Sequence, residues 1–171
     1  MFHLYHADYI GQPNNCLYPH KVRITDKDSL IQAVSHDYVC AEYLSNYRSN
    51  GNFVGSDCLS VECDNDHSEN PADWKTPADI AAAFPAVRFA VHYSRNHMKV
   101  KNGKPARPKF HVFFVIDPVM DAEEYANLKK MLNGIFPYFD TKALDAARFY
   151  FGTPSPQVDI FDGSMTLTEF L

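Results

Sequence analysis

A chain of 171 residues with 46% hydrophobic and 22% charged side chains carries enough apolar material for one self-standing core, which excludes a disordered arm. Its formal charge of -5 excludes a protein that coats nucleic acid by bulk attraction. The four cysteines form no CxxC pair, and MFHLYHADYIG has neither the basic nor the long apolar stretch of an export signal, so reduced thiols, a soluble cytoplasmic setting and no membrane partner are expected.

Residues 1–24 mix aromatics with the turn formers of GQPNN and suggest short strands leading into VRI at 22–24. A helix is expected from about Asp26 to Leu44, capped by Thr25 with Asp28 three residues on, because Leu30, Ala33, Val34 and Tyr38 recur at helical spacing. DCLSVECDND at 57–66 reads as a strand followed by an acidic turn. Alternation sends Leu59, Val61 and Cys63 to one face and Ser60, Glu62 and Asp64 to the other. Thr76, Pro77 and Asp79 start a helix over 77–84 that Pro85 stops.

AVRFAVHY at 86–93 and KFHVFFVI at 109–116 read as strands, and SRNHMKVKNGKPARP between them as a basic hairpin arm punctuated by Asn-Gly. Asp121 and Glu124 open a helix from 122 to about 136 whose apolar stripe is Tyr125, Leu128, Leu132 and Ile135. Further strands are expected at 147–151 and 157–161. The order strand, helix, strand, strand, helix, strand between residues 57 and 151 is that of a split βαβ unit, and the fold class is α+β.

Glu62, Asp64 and Asp66 crowd into five positions. Adjacent like charges raise one another's cost of ionisation, so the cluster is either neutralised by a hard cation or spread into water as a solvated turn. His111 shares a strand face with Lys109, Phe113 and Val115 and follows a run of cations without acids, Arg95, Lys99, Lys101, Lys104, Arg107 and Lys109. It suits either a phosphate oxygen or a satisfied core position. Asp140 lies beyond the helix where a third carboxylate could join the first two; Asp145 could orient Arg148 or be an ordinary turn acid. Arg148 precedes FYF and needs an anion, a carboxylate or a triphosphate. Cys63 and His67 are four apart, but alternation turns Cys63 into the core, against a structural zinc.

Taken together, VECDND, PKFHVFF and FDTKALDAARFYFG resemble the three catalytic motifs of the archaeo-eukaryotic primase superfamily, in particular the primase-polymerase domains of phages, plasmids and integrative elements. The resemblance covers roughly residues 20–165. Glu62 and Asp64 match its acid-x-acid pair, His111 its histidine, and Phe139-Asp140 its hydrophobic-aspartate pair. Glu62 stands where Asp is common, and Lys109 where Ser often stands.

What the resemblance implies is one catalytic domain over 1–171, with two intimately packed subdomains: an RNA-recognition-like catalytic sheet against an N-terminal α/β portion. Glu62, Asp64 and Asp140 would bind Mg²⁺ or Mn²⁺, while His111 and Arg148, helped by Lys109 and Arg107, would meet the nucleotide phosphates. Arg95, Asn96 and His97 would touch nucleotide or template, and Lys99, Lys101 and Lys104 would follow the backbone of a single-stranded DNA template. The implied activity is templated transfer from NTP or dNTP with release of pyrophosphate, for primer synthesis or DNA polymerisation. A metal-dependent nuclease and a non-catalytic nucleic-acid-binding module are the alternatives. Ending at MTLTEFL, the sequence leaves open a longer protein carrying a helicase.

Overall fold

Among residues 1–142 and 144–171, which the computed structural model describes, the strands assemble into two antiparallel sheets. The first has the order β2-β1-β3-β8, formed by His20–Ile24, Phe2–His6, Tyr38–Val39 and Phe149–Tyr150. The second has the order β4-β5-β7-β6-β9, formed by Glu42–Tyr43, Phe53–Cys63, Phe110–Val119, Phe89–Tyr93 and Val158–Phe161. The helices are α1 (Lys27–Val34), α2 (Pro77–Ala83), α3 (Ala122–Ile135) and α4 (Leu167–Phe170).

The second sheet is apolar on both faces because it is covered on both. Leu59, Val61 and Cys63 of β5 and Phe110, Val112 and Phe114 of β7 pack with Ile80 of α2, Tyr125 and Leu132 of α3 and Leu167 of α4. On the opposite face Cys58, Ala90, Phe113 and Val115 meet Phe2, Leu4, Tyr38 and Tyr150 of the first sheet. The alternation expected for residues 59–63 therefore holds, with Glu62 on the side of the first sheet. Pro77 at the start of α2 and the reciprocal Thr76–Asp79 cap fix that helix as expected. Among the described residues, no helix is long and apolar enough to cross a membrane.

Three expectations need correction. The helix proposed over 26–44 stops at Val34, and its cap is Asp26 with Ser29 rather than Thr25 with Asp28. The chain turns there because the buried Asp37 carboxylate accepts N–H groups from Gly11, Gln12 and Gly152, which pins Tyr38 and Val39 into β3. Tyr38 has helical spacing, yet it fills the space between the sheets.

The split unit is also incomplete. β5 and β6 flank β7 as that motif requires, but β8 joins β3 in the first sheet and β4 takes the place beside β5. Tyr43 Oη donating to the Ala146 carbonyl and Arg48 to that of Ala147 hold the chain before β8 on the other layer. Finally, Ile135 of α3 is 55% exposed, while Lys129 is buried in its place among Tyr125 and Leu132.

Candidate active site

Cross-strand register lines up three polar side chains on one face of the second sheet. Glu62 of β5 is paired with His111 of β7, and His111 with His92 of β6. The row lies beneath Tyr38 and Tyr150, which are paired across β3 and β8 of the first sheet and whose rings stack 5.5 Å apart. Tyr38 Oη is 2.7 Å from His92 Nδ1 and 2.9 Å from His111 Nδ1; Tyr150 Oη donates to Ser60 Oγ at 2.8 Å. His92 Nε2 lies 2.9 Å from Thr153 Oγ1. A polar row survives in an apolar sandwich because its members satisfy one another.

Beyond His111 the row opens into a cleft. Arg148 Nη2 donates to both Glu62 carboxylate oxygens at 3.1 Å, and His111 Nε2 stands 3.6 Å from Glu62 Oε1. The cleft brings Asp64, Arg95, Asn96, Lys101 and Lys109 to these three residues, together with Phe149 and Phe151. The guanidinium of Arg95 lies 4.0 Å over the Phe151 ring. The Arg148 Nε is buried without a hydrogen-bond partner, a donor left over in a cleft of cations.

Asp64 leads into the acidic turn, which is held by two residues. Asn65, buried at φ 56, receives the Lys75 N–H on its side-chain oxygen and donates its amide to the carbonyls of Lys75 and Pro108. Arg107, 0% exposed, donates to the Asn65 carbonyl at 2.8 Å and to Glu69 at 3.1 Å, lies 3.6 Å from Asp66, and stacks 4.8 Å from Trp74. Asp140 is drawn to the same end of β5, because its backbone N–H donates to the Glu62 carbonyl at 2.8 Å. Its side chain accepts the Lys142 N–H and faces a second cleft that Asp64 and Asp66 share.

Burial lifts the Glu62 carboxyl above its ordinary pKa, reinforced by Asp64 and Asp140 and opposed by Arg148. Burial likewise raises Asp64, with Asp140 and Asp66 adding to it and Lys109 and Lys101 resisting. His111 is driven well below the usual imidazole value by burial, then by His92 and Arg148, and burial takes His92 to about 3. Both rings are therefore neutral at pH 7.

Of the residues named from sequence, Glu62, Asp64, His111, Arg148, Lys109, Arg95, Asn96 and Lys101 line one cleft, and Asp140 adjoins it through Asp64. Four others do not meet there. Arg107 is a buried clamp on the acidic turn, which corrects the expectation of a nucleotide contact. His97 Nδ1 accepts the Lys109 N–H and its ring packs on Tyr93. Lys104 pairs at 4.0 Å with Asp66, and Lys99 lines a separate groove with His97. Asp145 is exposed and lines neither cleft; the turn from Asp140 to Asp145 runs through residue 143, outside the described residues.

His92, Tyr38 and Thr153 were missed. Alternation along the 86–93 strand puts His92 on a buried face with Ala90, a signal that could have found it. Tyr38 lay inside the overlong helix. Among the described residues, no three His, Cys, Asp or Glu side chains stand close enough to form a ready-made metal cage. The donor set is nonetheless all carboxylate, which suits Mg²⁺ or Mn²⁺, and burial and mutual repulsion make a cation favourable beside Glu62 and Asp64.

No family model and no curated protein matches the chain. Among solved structures, it is similar to the archaeo-eukaryotic primase domain of the cyanophage S-2L primase-polymerase. That match has 15% identity and a TM-score of 0.49, and covers 95% of this chain and 82% of that one.

Proposed function

We propose that the chain is a nucleotidyltransferase of the primase-polymerase kind, extending a primer on a single-stranded DNA template from NTP or dNTP. The observation that carries this reading is a single cleft in which two acids with raised pKa, the buried Glu62 and the half-buried Asp64, face Arg95, Lys101, Lys109 and Arg148. Acids alone suit a cation and cations alone suit an anion; both together suit a metal-bound polyphosphate.

The cleft volume of ≈ 190 Å³ lies below the roughly 300–1,000 Å³ that encloses a drug-sized ligand. Its cations suit the triphosphate, and Phe149 and Phe151, which line the same cleft, offer aromatic faces for the base. The guanidinium of Arg148, with Lys109 and Lys101, neutralises charge on the phosphates, and His111 presents an imidazole edge. Glu62, Asp64 and, through its main-chain tether, Asp140 are the groups that would hold Mg²⁺ or Mn²⁺. The chemistry such an ion supplies when bound is neutralisation of the triphosphate and acidification of the primer 3′-hydroxyl. As the new P–O bond forms to that oxygen, the bond to pyrophosphate breaks. Arg148 pairs with Glu62 and lies beside the phosphate position, so turning toward an incoming anion frees both carboxylate oxygens.

The test is nucleotide incorporation on a primed single-stranded template with Mg²⁺ or Mn²⁺, comparing wild type with Asp64→Ala. Near-complete loss with an unchanged fold is expected. Incorporation at the wild-type rate overturns the role of Asp64, and shortening of the labelled strand in place of growth replaces transfer with nuclease activity.

A further inference from the structure

The buried chain Thr153, His92, Tyr38 and His111 runs between the two sheets from β6 to the cleft, through contacts of 2.9, 2.7 and 2.9 Å. His92 and Tyr38 are 0% exposed, His111 6% and Thr153 9%, so water cannot substitute for a missing partner without opening the sandwich. Burial holds the Tyr38 phenol well above its ordinary pKa, so Tyr38 has one proton to give and its oxygen can also accept. Two imidazole Nδ1 atoms stand within hydrogen-bond distance of that one proton, so one ring must accept it, which leaves that ring neutral with its hydrogen on Nε2, and the other must donate its own Nδ1–H to the Tyr38 oxygen.

If the proton goes to His92, then His111 must carry its own on Nδ1. That arrangement leaves the His111 Nε2 lone pair 3.6 Å from the Glu62 Oε1 carboxylate oxygen, lone pair against anion. If the proton goes to His111 Nδ1, its Nε2–H faces Glu62 and the cleft. His92 Nδ1–H then donates to Tyr38 Oη, and His92 Nε2 accepts the Thr153 hydroxyl. Both arrangements satisfy the Tyr38 oxygen, but only the second gives the Thr153 hydroxyl an acceptor in His92 Nε2 and turns an N–H toward Glu62 and the anionic site.

We infer that Tyr38 and His92 are positioning residues, forming with Thr153 a one-way hydrogen-bond relay that holds His111 as the neutral Nε2–H tautomer, ready to donate to a phosphate oxygen. The relay is a property of the folded chain; its consequence at the phosphate rests on the proposed nucleotidyl transfer.

Nitrogen NMR of the intact protein, with histidine labelled with ¹⁵N, tests the relay without nucleotide. The wild type is expected to show His111 protonated at Nε2 only. Tyr38→Phe keeps the ring packing but supplies no proton, so it is expected to give a mixture of both His111 tautomers. It should also raise the nucleotide KM about tenfold, with a smaller change in kcat and a retained melting transition. His92→Leu should reproduce these changes. His92→Asn, whose amide N–H can meet the Tyr38 oxygen, should restore the wild-type pattern in part. His111 protonated at Nδ1 in the wild type overturns the inference, as does a Tyr38→Phe protein that keeps the pure Nε2–H form with an unchanged KM. A wild type that shows the Nε2–H form but incorporates no nucleotide supports the relay and refutes nucleotidyl transfer, so the two failures are distinct.

Discussion

Arg107 divides two accounts of the basic arm, and Arg107→Met separates them. In the structure the guanidinium is wholly buried, spans the Asn65 carbonyl at 2.8 Å and Glu69 at 3.1 Å, and stacks on Trp74 at 4.8 Å. The ion pairs to Asp66 and Glu69 are worth at most about 1 kcal/mol, because those carboxylates are 44% and 68% exposed. Stranding the carbonyl of buried Asn65 costs about 1–3 kcal/mol, and losing the cation–π contact about 0.5–2 kcal/mol. Methionine keeps much of the apolar bulk, so a net loss of about 3 kcal/mol is expected. For a chain of this size that corresponds to a fall in Tm of roughly 6–12 °C. Urea and thermal unfolding of the metal-free protein measure it directly. A loss below about 1 kcal/mol, accompanied by a raised nucleotide KM, would refute the clamp and return Arg107 to the nucleotide.

Because burial and then Asp140 and Asp66 raise the Asp64 carboxyl, the folded chain takes up this proton before the unfolded chain does. The stability tied to that proton is full below the unfolded carboxylate pKa and lost as pH rises through the higher folded value. Asp64→Asn is therefore expected to raise the Tm of the metal-free protein at pH 7, with the advantage closing toward about pH 4; an equal difference at both pH values contradicts the electrostatic account. Asp37→Ala removes the acceptor of three backbone N–H groups. Two of these, on exposed Gly11 and Gln12, can turn to water, while that of buried Gly152 cannot. A loss of about 2 kcal/mol in urea unfolding is expected, and less than about 0.5 kcal/mol shows that Asp37 does not pin the turn.

The sequence was most legible where a period was long or a cap complete. The 59–63 alternation, the Thr76-Pro77-Asp79 start and the Asp121–Glu124 opening of α3 all appear as read. Tyr38 misled because one residue at helical spacing cannot reveal that Asp37, held by N–H groups of Gly11 and Gly152, turns the chain first. The exit of β8 to the other sheet was invisible for a similar reason. Its two residues carry no pattern of their own, and what places them, Tyr43 and Arg48 on distant carbonyls, spans about a hundred positions of chain. In the site, the acids, His111 and Arg148 announced themselves as charges that needed partners. Arg107 announced itself in the same way, but a sequence cannot say which anion a buried guanidinium has found.

The main-chain bond from the Asp140 N–H to the Glu62 carbonyl carries a consequence of its own. Because the link is made by backbone atoms, the distance between these two positions is set by how the chain is routed and not by which side chain occupies residue 140. That position thus behaves as a socket at a fixed address. Its occupant can be exchanged to vary the charge and reach presented to the cleft, while the strand end it sits against stays where it is.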